Sequence, residues 1–167
     1  IINSSLQTQW LFEKLLDTHP EYVLPIVSQR CSFAYFFHCT KCLQQEFVLT
    51  HAEWAASLIS HSISTFFDQM CKFLPTVLQF VLLFREKGMK SSFQIICSKL
   101  GIETHFPMSF AQFRQVIDQL IEKFGQYEDF SIEEWGNECL KWLFACDDTY
   151  IASNALLIYN RIGKPYD

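Results

Sequence analysis

Three times along this chain a hydroxyl residue stands three positions ahead of a Glu or Gln: Thr50-His51-Ala52-Glu53, Ser109-Phe110-Ala111-Gln112 and Ser131-Ile132-Glu133-Glu134. At a helix start the hydroxyl accepts from the third backbone amide while the longer side chain reaches back to the first, so two exposed donors are satisfied together. Each tetrapeptide therefore reads as a helix start. The stops are as regular: Gly88, Gly101, Gly125 and Gly163 each follow an apolar run and read as left-handed residues just past helix ends. A chain punctuated in this way leaves little room for strands.

Between these marks the apolar residues fall at helical spacing. Phe110, Phe113, Ile117, Leu120, Ile121 and Phe124 form one face, with Gln112, Arg114, Gln115, Asp118 and Glu122 mostly off it. Trp135, Cys139, Leu140, Trp142, Leu143 and Cys146 repeat the pattern, and so do Ile151, Ala155, Leu156, Ile158, Tyr159 and Ile162. Only Asp147 and Asp148 separate the last two runs, so these helices must turn back on each other. Spacing and caps predict helices at 5–17, 20–30, 32–49, 51–70, 73–87, 92–100, 109–124, 132–146 and 149–162, with loops at 101–108 and 125–131 and with Pro25 and Pro75 kinking or bounding their helices.

No Gly, Ser or Pro-rich linker divides the chain, so residues 1–167 read as a single all-helical segment. The fold class expected is all-α, with antiparallel helical hairpins stacked as a HEAT/armadillo-like α-solenoid; a closed helical bundle is the alternative. No strict tetratricopeptide or ankyrin period occurs, so the repeats would be degenerate. Seventeen Phe and four Trp exceed what one simple core holds, which suggests a fragment of a larger helical-repeat protein whose flanking repeats would cover the excess. Such a fragment would expose Trp10, Leu11 and Phe12 at one end and Leu156, Leu157, Ile158 and Tyr159 at the other.

Charge and composition narrow the partners. A formal net charge of −5 with singly scattered Lys and Arg gathers no phosphates, so nucleic acid is not expected. The longest nearly apolar stretch, Phe73 to Phe84, contains Pro75 and Gln79 and falls short of the roughly 20 residues a membrane span needs. No basic stretch with a short apolar run opens the chain at Ile1, so no targeting peptide is expected. Seven Cys cannot all pair within the chain, and their apolar surroundings fit reduced thiols in a cytoplasmic protein.

The sharpest chemical candidate is His38-Cys39-Thr40-Lys41-Cys42 with Cys31 upstream, which raises the reading of a small metal or redox protein built on Cys31, Cys39 and Cys42. No second Cys-x-x-Cys or His-x-x-x-His supplies the missing ligands, and the stretch reads as helix, where packing places small apolar thiols. His51-Ala52-Glu53 matches half of a zinc deaminase motif but lacks its downstream Pro-Cys-x-x-Cys. No nucleophile elbow, phosphate-binding loop or Rossmann pattern occurs. Glu133-Glu134 and Asp147-Asp148 read as helix-start charges. Trp135 and Trp142, seven apart on one face, read as core anchors, and Trp10 and Trp54 as core members of apolar runs. The sequence thus assigns no catalytic, cofactor-binding or metal residue, and leaves the partner-binding face open.

At the carboxyl end, Glu134-Trp135-Gly136-Asn137-Glu138-Cys139-Leu140-Lys141-Trp142, then Cys146, then Ile151-Ala152-Ser153-Asn154-Ala155-Leu156-Leu157-Ile158-Tyr159, resembles a signature of the Furry family of cell-morphogenesis proteins. His38-Cys39-Thr40-Lys41-Cys42-Leu43 resembles an upstream helix of that family, in the right order. The chain departs from the pattern at Thr149-Tyr150, Ser153-Asn154 and Cys139. The resemblance implies a non-enzymatic segment of a large cytoplasmic, cytoskeleton-associated scaffold that supports NDR-type kinases and Mob coactivators in polarised growth. A structural component of a microtubule or ciliary assembly is the alternative function.

Because the Cys-rich helix is expected to owe its stability to apolar burial, a strong chelator should leave the thermal unfolding transition unchanged. A clear loss of helical circular dichroism on chelation would restore the metal reading.

Overall fold

The computed structural model describes residues 10, 11, 13–40, 45–85, 89–146 and 148–163, with the side chains of 30, 32–40, 45–55 and 145 excepted. The described residues are all-α, with no strand among them. A short helical stretch at 13–18 leads into seven longer helices: α1 (Pro20–Thr40), α2 (Gln45–Met70), α3 (Leu74–Leu83), α4 (Lys90–Lys99), α5 (Phe110–Phe124), α6 (Ile132–Ala145) and α7 (Thr149–Ile162). None of the described helices is long and apolar enough to cross a membrane.

Helix α3 organises the packing. Nine of its ten residues are buried, Leu74 to Leu83 with Thr76 alone half-buried. A helix buried around nearly its whole circumference can only sit among other helices, and α3 contacts α1, α4, α6 and α7. The remaining packed pairs are α1 with α2, α2 with α4, α5 with α7, and the extensive antiparallel hairpin of α6 with α7. The buried apolar residues form one cluster running from Leu16 to Ile158. Hairpins of this kind belong equally to a stacked helical array and to a bundle closed around an inner helix.

The local signals at the second half of the chain form as the sequence predicts. Ser109 and Gln112 make both arms of a capping box, at 3.2 and 2.8 Å. Ser131 accepts from the Glu134 amide at 3.1 Å. Asp148 caps α7 by accepting from Tyr150 N at 2.9 Å and Ile151 N at 3.4 Å, which makes the tight turn after α6. Pro75 stands in the first turn of α3, where its missing amide hydrogen costs nothing. Gly101 has a φ of +73°, and the bonds Ile102 N to Cys97 O (2.8 Å) and Gly101 N to Ser98 O (3.2 Å) close α4 in a Schellman motif.

Several expectations are corrected. Gly125 and Gly163 are right-handed, with φ of −61° and −78°. Their amides continue the helical ladder to Ile121 O and Tyr159 O, so no left-handed residue is required. Gly88 lies outside the described residues. The predicted break near residue 31 is absent, because no cap or breaker stands there and Val23, Leu24, Val27 and Cys31 bury one continuous face of α1. Packing also carries α1 through Pro25 despite one forgone hydrogen bond. Thr50 starts no helix: it lies inside α2, whose ladder begins at Gln45 and denies Thr50 the extended backbone that a cap needs. Helix α2 instead leaves helical geometry at Phe66 (φ −126°, ψ 37°), after the helix-poor run Ser60, Ser62, Ser64 and Thr65.

Of the four tryptophans, Trp135 and Trp142 are fully enclosed, and the Trp142 ring meets Phe84 edge-on at 5.5 Å. Trp10 is 60% exposed, contrary to its core reading. Leu16 is the enclosed side chain of the leading stretch. The Trp54 side chain lies outside the described residues. Trp142→Ala should cost about 3–5 kcal/mol of stability, the scale for emptying an aromatic site in a packed core. Chemical denaturation checks this; a loss below about 1 kcal/mol would show that Trp142 does not anchor α6.

Candidate docking groove

Helix α5 opens with Phe110, and the capping box at Ser109 and Gln112 fixes that first turn. The face of α5 that enters the core is Phe113, Val116, Ile117, Leu120 and Phe124. Phe110, read from its spacing as a member of that face, is instead 66% exposed. It borders a groove of about 630 Å³ between α5 and α7, lined also by Arg114, Ser153, Leu156, Tyr159 and Arg161. Leu156 is 43% exposed there, whereas Leu157 is buried beneath the groove that it helps to line and Ile158 is fully enclosed in the core. The apolar surface foreseen at the two ends of the chain is thus present at Trp10, Leu11 and Leu156, and absent at Leu157 and Ile158.

Two charged contacts hold the walls. Arg161 of α7 grips Asp118 of α5 in bidentate fashion, Nε to Oδ1 at 2.6 Å and Nη2 to Oδ2. Arg85, beyond the end of α3, is buried; its guanidinium carbon lies 3.7 Å from the centre of the Phe113 ring and 5.8 Å from that of Tyr150. This cation–π stack joins α3, α5 and α7. The groove therefore has fixed sides, exposed apolar anchors and polar edges, a surface that can accept an amphipathic segment.

The cysteines lie elsewhere. Cys31 on α1 is buried, and burial first, the Glu138 carboxylate second, push its thiol well above the ordinary range. Cys139 is raised for the same two reasons, and burial pushes Cys97 up to about 12. Metal ligation and thiol redox both need the thiolate, which these surroundings disfavour. Among the described residues no three His, Cys, Asp or Glu gather where a metal could sit. Cys42 and the side chains of His38, Cys39, His51 and Glu53 lie outside the described residues.

Sequence reasoning missed the groove because the spacing of Phe110 from Phe113 fits a single apolar face. The available signal was that Phe110 is the first helical residue after its cap, a turn before the core face is established. Comparison with protein-family models, with curated proteins and with solved structures gives no match, so no relative supplies an activity or a partner.

Near Cys31, one half-buried carboxyl titrates above its usual range. Glu138 on α6 is raised chiefly by desolvation, opposed by Lys141 and by a hydrogen bond from the Thr76 side chain, and reinforced by Glu134. Its Oε2 makes no hydrogen bond and lies 3.8 Å from Lys141 Nζ. A carboxyl raised on folding contributes stability that is complete below its unfolded pKa and is lost as pH rises through the folded one. Glu138→Gln, which mimics the protonated form, should equal the parent in Tm near about pH 4 and exceed it by about pH 8. Thermal melts across that range check this, and a variant less stable by the same amount at every pH would refute it.

Proposed function

We propose that this chain is a non-catalytic helical scaffold segment that holds another protein in the groove between α5 and α7. The observation that carries the reading is that Phe110 and Leu156 are exposed on facing walls of one groove, whereas the other exposed aromatics among the described residues, such as Tyr22 and Phe144, line no part of it. Exposed aromatic and aliphatic anchors beside polar edges are the usual composition of a protein-binding site.

The resemblance to the Furry family supports the same reading and names the partners: an NDR-type kinase, its Mob coactivator, or a cytoskeletal protein, met in the cytoplasm at the cytoskeleton. Trp135 and Trp142, which carry the resemblance, are buried. They would therefore maintain the helix pair, and the contacts with a partner would fall to exposed positions such as Phe110 and Leu156.

Biolayer interferometry of the immobilised chain against a purified kinase–Mob complex tests the proposal. Binding should weaken by about thirtyfold or more when Phe110→Asp and Leu156→Asp are combined, the scale of losing a central apolar anchor, with circular dichroism unchanged. Equal binding by parent and variant would reject the groove, and no binding by the parent would reject the Furry-type partners.

A further inference from the structure

The groove differs in charge from the chain that carries it. The sequence has a formal net charge of −5, yet the groove lining includes two arginines and no Asp or Glu. Arg161 is engaged by Asp118. Arg114 is exposed, and the carboxylate one helical turn further along α5 is that same Asp118, so among the described residues no acid pairs with Arg114. Phe110 lies one turn before it, which puts an apolar anchor and a guanidinium on one stripe of α5.

The walls also restrict the backbone of an occupant. Both are helices whose amides and carbonyls are used internally, so the groove offers no ladder to an extended strand. A ligand must satisfy its own backbone, and a helix does so. The lining along α7 runs from Ser153 to Gly163, about 15 Å at the helical rise, or roughly three turns. Anchors at positions i, i+3, i+4 and i+7 fit that length.

Resting on the docking reading above, we infer that the groove takes a short amphipathic helix with carboxylates flanking its apolar anchors, one of them meeting Arg114. Arg114 sets the charge preference, and Phe110 and Leu156 supply the apolar grip. The negative net charge of the rest of the chain repels such a ligand elsewhere and so favours its arrival at this groove.

Fluorescence anisotropy with two labelled designed peptides tests the inference on the full chain. Both are 14-residue helices with Leu at i, i+3, i+4 and i+7, one flanked by Glu and the other by Lys. The Glu peptide should bind roughly fivefold or more tightly than the Lys peptide, the scale of reversing one exposed charge pair. Arg114→Glu should reverse that order, Phe110→Ala should weaken both peptides, and the melting temperature should be retained because both side chains are exposed. Equal binding of the two peptides, unaltered by Arg114→Glu but lost with Phe110→Ala, would overturn the acidic-helix inference while the docking reading stands. Binding insensitive to Phe110→Ala, or none, would overturn both. Concentration-dependent self-association abolished by Phe110→Ala would identify a second copy of the chain as the occupant and overturn the inference.

Discussion

Gln79 is the one polar side chain buried deep within the most buried helix, and the arrangement of the second half of the chain turns on it. Its Oε1 accepts from Trp135 Nε1 at 2.8 Å and from the Cys139 thiol at 3.3 Å. Apolar contacts alone would let α6 slide or rotate against α3 at small cost, since greasy surfaces are interchangeable. A buried amide that must face an indole donor is not interchangeable, because a mismatched register would leave the indole N–H without a partner in a dry interior. Once α6 is fixed against α3, the short turn capped by Asp148 fixes α7, and α7 is one wall of the groove.

Legibility from sequence followed the range of the interactions. Helices α5, α6 and α7 were readable because Ser109, Ser131 and Asp148 cap them through atoms a few residues away, and because Trp135 and Trp142 repeat at two turns. The junctions of α1 and α2 were not, since the burial of Val27 and Cys31 against distant residues overrides Pro25, and the Thr50 tetrapeptide is absorbed into a longer ladder. A capping box states what a helix start would look like without stating that the preceding helix has ended. The groove was still less accessible: the exposure of Phe110 depends on where α7 passes, and that depends on Gln79, roughly 30 residues away in sequence and on another helix.

These facts give the proposed scaffold a division of labour. The two tryptophans that resemble the Furry pattern are occupied in packing, whereas Phe110 lies outside the matched stretches and Leu156 is an exposed position within one of them. Similarity in the core and variation in the groove would let helical segments of one architecture accept different partners, with the guanidinium of Arg114 and the ring of Phe110 as the adjustable parts.

The stack of Arg85 on Phe113 has a consequence for how the molecule meets acid. A guanidinium keeps its proton throughout the biological range, so the joint between α3, α5 and α7 carries the same charge in a neutral cytosol and in an acidified compartment. The core beside Cys31 lacks that constancy, because Glu138 gains or loses a charge there. Acidification would therefore alter how tightly α6 is bedded, and through α7 one wall of the groove, while the cationic joint that ties α3 to both walls keeps its charge state.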